Sequence, residues 1–457
     1  MTADFLCVIG HLDGNWHWVK NWLDEKKERR LVFINAPLLF AHPQVKYKSI
    51  DSPLQLEPIA KEIAWEAVFL KLEIIGEKWD MFRNALEQAH LAANLILSDA
   101  SDWGCAMAKQ AFARKNRPLR EGLKLAKAFP NVPAIIVGAG PSLAKNGHLL
   151  ELFQSQALIF TGGSALATLQ TEPHFAAAID KEAPQRHFKR FAYWETPFCV
   201  QHRMNFENFS LIHGEAILFP DSHFQFLNEA QVFDGGWTVG TFLTALASFM
   251  GCNPIVFTGM DYCYENGCKY AEGIVGAPQN LVNATTTNGV QVSTQPDWLM
   301  AKAWLETFAA KHPEQIFLNA TEGGMGFSSP IQNVVLSDLK FEKRNNLRNA
   351  VYDAVASLPF VCGFDWNRWK ESLHRCAQIA ERSLLTRSAL NGQSSSLEEE
   401  ENFEGERAYE SLLLPLWQTW SPIFNRALEF DSNPKKMKIN RLLFFQNVIQ
   451  EHLHAIE

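Results

Sequence analysis

The sequence lacks the patterns that mark several large classes of protein. None of its eight cysteines belongs to a C-x-x-C pair, and although Cys263 and Cys268 lie close together, no histidine or second cysteine pair completes a zinc pattern. The net charge of −8 argues against a surface for nucleic acid, which needs a basic stripe. We therefore expect reduced thiols, a cytoplasmic location and no bound nucleic acid.

Long hydrophobic runs are missing as well. The most apolar stretch, residues 240–259, contains Thr241, Ser248 and Pro254, and it divides into a helix and a strand more readily than it forms a membrane span. The N-terminal apolar segment is short and lacks a basic region, so no signal peptide is predicted. With 457 residues, of which 47% are hydrophobic and 20% charged, the chain is expected to be globular, with about three domains.

The clearest local motif is P-A-I-I-V-G-A-G-P-S-L, which runs from Pro133 to Leu143. Its apolar part, residues 134–137, contains β-branched side chains and predicts a buried parallel strand. Gly138 and Gly140 follow at once and predict a tight turn. Because a helix is predicted next, the backbone N–H groups at its start would face an anionic ligand bound at the turn.

The helix after this turn is predicted from Pro141 and Ser142. Proline is common in the first turn of a helix, and serine is a common cap. The motif is not a Walker loop, since no Gly-Lys-Ser/Thr follows, and it is not a full G-x-G-x-x-G, since Leu143 stands in place of the third glycine. On spacing alone, a phosphate site and an ordinary strand–helix turn fit it equally well.

The order of strand-like and helix-like segments predicts an α/β protein in four parts. Residues 1–75 are predicted to form a small N-terminal α/β domain, residues 76–130 a helical connector, residues 131–330 a central nucleotide-binding domain and residues 331–457 a helical C-terminal domain. Alternating strands and helices in the central part predict a doubly wound, Rossmann-like parallel sheet. The polar stretch 391–400 is predicted to be a loop.

A second glycine turn follows the first predicted strand of the chain. It runs from Gly10 to Gly14, and His11 and Asp13 crowd it. No acidic partner for a ribose is evident after it, so a structural turn is the preferred interpretation. Further along, residues 54–129 are predicted to be mostly helical.

Glycines and acidic residues follow the predicted strands of the central part. Ligands of open α/β sheets bind in the crevice at the carboxyl ends of the strands, so these residues are predicted to share one site. The set comprises Gly138, Gly140, Gly162, Asp180, Asp261 and Glu322. Each residue taken alone also fits a turn or a helix cap, which is the commoner role of glycine and aspartate.

Four motifs of the central part occur in a fixed order. They are V-G-A-G-P-S-L, D-G-G-W-T-V-G-T, I-V-F-T-G-M-D-Y-C-Y-E-N-G-C-K-Y-A and N-A-T-E-G-G. Together they resemble the motility accessory factor (Maf) family of bacterial proteins, in the MptE-like domain superfamily, over residues 131–330 and more loosely in the flanking parts. The resemblance implies a glycosyltransferase that attaches nonulosonic sugars, such as pseudaminic or legionaminic acid, to serines and threonines of flagellin.

The same motifs are similar to those of bacterial sialyltransferases that use CMP-sialic acid. The nucleotide contacts of that family correspond here to Gly138, Gly140, Pro141, Ser142 and Leu143, to which position along the sheet adds Gly162. Its donor-binding segment corresponds to Thr238 and Gly240, with Val239 in place of the family's serine. Tyr264 and Tyr270 match, with one inserted residue, the two tyrosines that contact the leaving phosphate.

The histidine that serves the sialyltransferases as a base has no counterpart, since no histidine occurs between His223 and His312. Transfer from a CMP-sugar requires hydrogen-bond donors toward the leaving phosphate, and it requires a base for the acceptor hydroxyl. The phenols of Tyr264 and Tyr270 fit the first need without a metal. Their alternative role is ordinary packing with one hydrogen bond each.

Glu322 is the preferred candidate for the base, because it lies in a glycine-flanked turn after the last predicted strand of the central part. Asp180 and Asp261 are the alternatives. A structural carboxylate that binds neighbouring backbone N–H groups fits Glu322 equally well.

Two other functions stay open. The archaeal MptE-like enzymes transfer a diphosphate from ATP to 6-hydroxymethyl-7,8-dihydropterin, and for that reaction Asp180 and Asp261 would hold Mg²⁺. The missing histidine leaves a non-catalytic nucleotide-binding protein as the third possibility. The long flanking parts favour the glycosyltransferase, for which no cofactor is expected and whose partners are a CMP-sugar donor and a protein acceptor, flagellin.

Overall fold

A computed structural model describes residues 3–10, 17–99, 104–180, 185–188, 194–220, 232–271, 281–389, 402–428 and 434–457. The predicted loop 391–400 lies outside the described residues, as do His11 and Asp13 of the first glycine turn. The chain divides into two compact units, one formed by Met1–Cys105 with Trp366–Ala455 and the other by Ala106–Asp365. The division at residues 75, 130 and 330 stays a prediction.

The elements of the described residues are numbered along the chain. The strands are β1 (Phe5–Ile9), β2 (Arg30–Ile34), β3 (Val45–Lys48), β4 (Leu72–Gly76), β5 (Arg120–Glu121), β6 (Ala134–Val137), β7 (Leu158–Gly162), β8 (Phe175–Ala178), β9 (Phe198–Val200), β10 (Ala216–Leu218), β11 (Ile255–Thr258), β12 (Val282–Thr285), β13 (Gln291–Thr294), β14 (Phe317–Asn319) and β15 (Gln332–Asn333). The α-helices are α1 (His17–Glu25), α2 (Leu56–Glu66), α3 (Asp80–Asp99), α4 (Cys105–Ala113), α5 (Leu143–Asn146), α6 (Phe206–Phe209), α7 (Val239–Phe249), α8 (Pro296–Lys311), α9 (Leu347–Ala356), α10 (Trp366–Ala389), α11 (Leu414–Leu428) and α12 (Pro434–Ala455).

The first unit contains a parallel sheet of four strands in the order β3-β2-β1-β4. Successive side chains of a strand point to opposite faces. Phe5 and Ile9 therefore pack with α2 and α3 on one face, and Leu6 and Val8 pack with α1 on the other. The sequence-based prediction of a mostly helical segment over residues 54–129 is wrong at β4, which pairs with β1 along its whole length.

The C-terminal part of the first unit is helical, as predicted. Its helices are α10, α11 and α12, and Trp369 of α10 is fully buried. The edge of the Trp369 ring meets the His452 ring, with 5.9 Å between the ring centroids. Among the residues that the structure describes, no helix is both long and apolar enough to span a membrane.

The second unit contains a sheet of nine parallel strands in the order β15-β14-β11-β6-β7-β8-β9-β10-β5. From β6 the chain proceeds outward through β7, β8, β9 and β10, and then it returns to β11 on the other side of β6. The strand order therefore reverses at β6. The doubly wound α/β fold and the smaller N-terminal α/β sheet predicted from the sequence are confirmed.

Both faces of β6 are buried, which explains its unbroken apolar run. Ala134 and Ile136 pack into a core with α7, α8 and α9. Ile135 and Val137 pack into a second core on the opposite face, with α5 and the segment that follows it. The position of β6 in the centre of a covered parallel sheet places its carboxyl end, and the glycine turn after it, at the point where ligands of such sheets bind.

Candidate active site

A cleft lies at the carboxyl ends of β6, β7 and β11, beside the first turn of α7, and its cavity volume is about 160 Å³. It occupies the point at which the strand order of the sheet reverses. The predicted site residues that line it are Gly138, Gly140, Gly162, Asp180, Thr238, Gly240, Asp261 and Tyr270. The structure thus brings eight of the twelve predicted site residues into one cleft.

The glycine turn after β6 leaves no room for a side chain at Gly140. A Cβ atom there would overlap the carboxylate of Asp261. The Gly140 N–H donates to the Gly259 carbonyl at 2.8 Å, and the Gly138 N–H donates to the Thr258 carbonyl at the same distance. These bonds tie the turn after β6 to the turn after β11, and the two turns form one wall of the cleft.

Ser142 lies behind this wall and holds Asp261. Its hydroxyl donates to Oδ2 of Asp261 at 2.7 Å, and its N–H donates to Oδ1 at 3.3 Å. The prediction that Ser142 caps a helix is wrong, because its side chain turns to this carboxylate rather than to the backbone of the four-residue α5. Pro141 and Ser142 are thus structural neighbours of the cleft, outside its described lining.

Asp261 is 2% exposed. Burial raises the pKa of its carboxyl group from 3.8 to about 6, and the two hydrogen bonds from Ser142 act in the opposite direction. Desolvation is the larger effect because a charge inside a protein loses more water than two bonds replace. The group therefore titrates close to neutral pH, at the floor of the cleft.

The glycine turn after β7, at Gly162 and Gly163, and the start of α7 form the opposite wall of the cleft. A 3₁₀ turn over Gly163–Ala167 begins directly after β7, and the first N–H groups of any helix have no acceptor within that helix. Thr238 caps α7, since its side chain accepts the N–H of Thr241 at 3.2 Å. Val239 packs against Gly162. An anion in the cleft would meet the backbone N–H groups at the start of the 3₁₀ turn and at the start of α7.

Tyr270 presents a protonated phenol to the cleft. Burial raises the pKa of this phenol, a hydrogen bond with Ser164 lowers it, and the negative charge of Asp180 raises it again. The net shift is upward, so Tyr270 keeps its proton at neutral pH and can donate a hydrogen bond to an anionic ligand. Ser164 and Asp180 line the same cleft.

Tyr262 is a second tyrosine of the cleft, and sequence reasoning missed it. Its backbone lies in the left-handed region, with φ of 52°, a conformation that is uncommon outside glycine and clusters at functional sites. Burial raises the pKa of its phenol, which is hydrogen-bonded to Thr238. Tyr262 therefore links the turn after β11 to the N-terminus of α7.

Lys269 is the one cation among the described residues that line the cleft. Its Nζ atom lies 5.2 Å from the centroid of the Tyr270 ring and 5.5 Å from that of the Trp298 ring. Both distances are within the range of cation–π attraction. The two rings hold the ammonium group at the cleft, where its positive charge acts on the carboxylate of Asp297 and opposes the burial that raises the pKa of that group. Sequence reasoning missed Lys269 and Trp298.

Tyr264 lies outside the described lining of the cleft. Its ring packs against Trp298, with 5.3 Å between the ring centroids, and its backbone N–H donates to the Ser293 carbonyl at 2.9 Å. Its phenol oxygen is buried without a hydrogen-bond partner among the described residues. In this geometry Tyr264 supports Trp298 from behind.

Glu322 lies in a neighbouring pocket rather than in the cleft. Its Oε1 atom accepts the N–H of Leu336 at 3.1 Å and the side-chain amide of Asn146 at 3.3 Å. These bonds match the structural role that the sequence left open for this carboxylate. Two other carboxylates, Asp180 and Asp261, face the cleft, and the described residues contain no group of three or more metal-binding side chains placed to hold an ion.

The signals for the missed residues were present in the sequence. Tyr262 directly follows Asp261, and Lys269 directly precedes Tyr270, so both stand inside a motif that carried the resemblance. Their side chains reach the cleft because the segment after β11 folds back over its own turn. The Cys268 and Glu265 backbones pair across that fold, with N–O distances of 2.9 and 3.2 Å.

Comparison with known proteins agrees with this architecture. Residues 110–267 match the family model described as 6-hydroxymethylpterin diphosphokinase MptE-like. The chain also matches the solved structure of a Maf glycosyltransferase from Magnetospirillum magneticum AMB-1, with a TM-score of 0.57 and 14% identity, over 99% of this chain and 78% of that one. No curated protein matches the chain.

These matches define the class of fold. The segment that matches the MptE-like model contains the glycine turns after β6 and β7, the start of α7 and Asp261. Together these form most of the cleft. Over nearly its whole length the chain shares the fold of the Maf glycosyltransferase. The predicted resemblance to Maf and MptE-like proteins is confirmed at the level of the fold.

Proposed function

We propose that the protein is a glycosyltransferase that moves a nonulosonic sugar from a CMP-sugar donor to a serine or threonine of a protein acceptor, flagellin. The observation that carries the proposal is the cleft itself, where two helix starts, a protonated phenol and one lysine surround a single space at the switch point of the sheet. Groups of this kind recognise a phosphate that gains negative charge during a reaction.

The donor would bind with its phosphate between the glycine turn after β6 and the glycine turn after β7. Backbone N–H groups at Gly163 and at the start of α7 would face the phosphate oxygens. Lys269 would supply the positive charge, and Tyr262 would keep α7 in place through its bond to Thr238. In this assignment Gly138 and Gly140 let the turn after β6 approach the turn after β11 closely, and this approach shapes the space for the nucleotide.

In the reaction the acceptor oxygen forms a bond to the anomeric carbon, and the bond between that carbon and the phosphate oxygen breaks. CMP leaves with the bonding electron pair, so its phosphate gains charge, which Tyr270 and Lys269 would stabilise. The acceptor hydroxyl proton would pass to Asp180, whose carboxylate is exposed and lines the cleft. Asp261 fits this role less well, because both of its oxygens already accept bonds from Ser142.

The likeness to a solved Maf glycosyltransferase supports this proposal through the shared fold. The family model favours a second candidate, because its description names a 6-hydroxymethylpterin diphosphokinase. In that reaction ATP would bind in the same cleft with Mg²⁺, and Asp180 would be a ligand of the ion. The two candidates differ in nucleotide and in their need for a metal.

Isothermal titration calorimetry with CMP and with ATP, each with and without Mg²⁺, separates the candidates. We expect CMP to bind without metal and ATP to bind weakly under both conditions. Tight binding of ATP that requires Mg²⁺, with no binding of CMP, would contradict the glycosyltransferase and support the diphosphokinase.

A further inference from the structure

A second pocket lies beside the cleft, in the same unit and at the same edge of the sheet. Its cavity volume is about 300 Å³, which reaches the lower end of the range for ligand sites. Its floor consists of Asn319 and Asn333, at the ends of β14 and β15. Its walls are the turn that contains Glu322, Gly324 and Gly326 and the hairpin residues Thr287 and Asn288.

One residue separates this pocket from the cleft. Gly324 packs directly on the backbone of Asp261, because a Cβ atom at Gly324 would overlap it. The Met325 N–H donates to the Asp261 carbonyl at 2.8 Å. Asp261 therefore lines the cleft on one side and supports the turn of the second pocket on the other.

The hairpin of β12 and β13 is held against this turn. The Thr287 N–H donates to the Met325 carbonyl at 2.9 Å. Gly326 permits the approach, since its φ is +69° and a Cβ atom there would overlap the Thr287 hydroxyl. The tip of the hairpin thus forms a fixed outer wall, and Asn288 is exposed there.

The lining of the second pocket is polar and carries one charge. Asparagine side chains supply both hydrogen-bond donors and acceptors, and Asn319 donates to Asn333 at 2.9 Å. Glu322 is the one charged side chain among the described lining residues. The negative charge of Glu322 disfavours an anion inside the pocket, although the Lys145 ammonium donates to the Glu322 carbonyl at 3.5 Å, and the polar side chains of the lining offer hydrogen bonds to the N–H and C=O groups of a peptide.

We propose that this pocket binds the acceptor, as an extended segment of a protein with a neutral or basic sequence around the serine or threonine to be modified. The proposal rests on the glycosyltransferase function proposed above. In it Glu322 and the three lining asparagines, which are Asn288, Asn319 and Asn333, bind the acceptor and take no part in catalysis. The peptide would lie in the pocket, and its serine or threonine would extend past Asp261 into the cleft, where the sugar and Asp180 lie.

The test blocks the pocket from its outer wall. Asn288→Trp places a large ring at the exposed hairpin tip, and Asn283→Trp is the matched control, because Asn283 is an exposed residue of the same hairpin outside the described lining. Steady-state transfer is measured with purified flagellin as acceptor and saturating CMP-nonulosonate as donor. Calorimetry with CMP checks that each variant is folded.

We expect Asn288→Trp to raise the KM for flagellin about tenfold or more, as loss of a binding contact does, while its affinity for CMP stays that of the parent. Asn283→Trp should transfer with the parental KM. A parental KM for Asn288→Trp, or an equal rise for both variants, overturns the acceptor pocket and leaves the glycosyltransferase standing. A parent protein that transfers no sugar to flagellin overturns both.

Discussion

Two glycine turns occupy equivalent places in the two units, and their surroundings differ. Gly10 follows β1, the strand at which the order of the four-stranded sheet reverses, and Gly138 follows β6, where the order of the nine-stranded sheet reverses. Both turns therefore lie where open α/β sheets bind ligands. The chain uses the same local design twice, with different groups around it.

A carboxylate lies against the first turn. The side chain of Glu77 occupies the space beside Gly10, where a Cβ atom would overlap it. The carboxylate of Glu77 is exposed, and its negative charge disfavours an anion at that turn. At the central turn the nearby carboxylate of Asp261 is buried, burial raises its pKa to about 6, and Lys269 adds a positive charge.

The comparison indicates what a strand followed by a glycine turn needs, besides its backbone, in order to attract an anion. The Gly10 N–H donates to the Ile34 carbonyl and the Gly138 N–H donates to the Thr258 carbonyl, both at 2.8 Å, so the two turns begin in the same way. What differs is the charge brought to each turn by other elements, which are the segment after β4 in one unit and the segment after β11 in the other.

The largest expected effect comes from filling the central turn. Gly140→Ala places a methyl group against the Asp261 carboxylate, and overpacking of this kind costs about 1–3 kcal/mol. We expect the Kd for CMP, measured by calorimetry, to rise about tenfold to a hundredfold. Gly10→Ala is the control, because it places a methyl group against the Glu77 carboxylate, and the positive φ of Gly10 makes it at least as disruptive locally.

Gly10→Ala should leave the affinity for CMP at the parental value. If it weakened CMP binding as much as Gly140→Ala does, the first turn would be a nucleotide site too, and the contrast between the two turns would fail. Circular dichroism of both variants verifies that each remains folded.

A smaller effect is expected when the central turn loses its positive charge. Lys269→Met removes the ammonium group but keeps a side chain that packs between Tyr270 and Trp298. We expect the affinity for CMP to fall about tenfold while the affinity for cytidine, which lacks the phosphate, is unchanged. Lys311→Met, at the exposed end of α8, should bind both as the parent does. An equal loss for CMP and cytidine would show that Lys269 acts through packing and not through charge.

A separate effect, on stability and not on nucleotide binding, depends on pH. Because the folded-state pKa of Asp261 is raised from 3.8 to about 6, the folded protein carries a buried charge above that pH. Its unfolding free energy gains from this group as the pH falls from about 6 to about 4. Asp261→Asn removes the titration, so the stability of the variant relative to the parent should be about 2 kcal/mol greater near pH 7.5 than near pH 4.

Urea unfolding of the parent and of Asp261→Asn at the two pH values measures this difference. The asparagine loses one bond from Ser142 at both pH values, so only the change between them reports the buried charge. The same stability difference at both values would mean that Asp261 is not desolvated as the structure indicates.

Much of the fold could be predicted from the sequence because the buried parallel strands are short apolar runs with turn residues after them. β6 begins and ends where the apolar pattern predicts. β4 was missed because its side chains are half-buried and include Glu73, so the strand lacks a clear apolar run. The hairpin of β12 and β13 was missed for a similar reason, since exposed polar residues alternate along it.

The part of the candidate site that could be predicted is the set of residues that directly follow strands. Glycines and acids at strand ends come together because parallel strands share an edge, and this is visible in the chain. The contact of Ser142 with Asp261 joins residues 119 positions apart, and the position of Lys269 between two rings depends on the fold of one segment. Such contacts follow from tertiary packing, so the serine was predicted as a cap and the lysine was missed.

Intact-mass analysis of flagellin tests the central claim most directly. Flagellin is co-expressed with enzymes that supply a CMP-nonulosonate and with either the parent protein or Asp180→Asn, whose affinity for CMP is verified by calorimetry. We predict that flagellin gains the mass of one or more nonulosonic sugars with the parent and that Asp180→Asn abolishes the gain while still binding CMP. Unmodified flagellin with a parent protein that binds CMP would contradict the account and identify the cleft as a nucleotide-binding site without transferase activity.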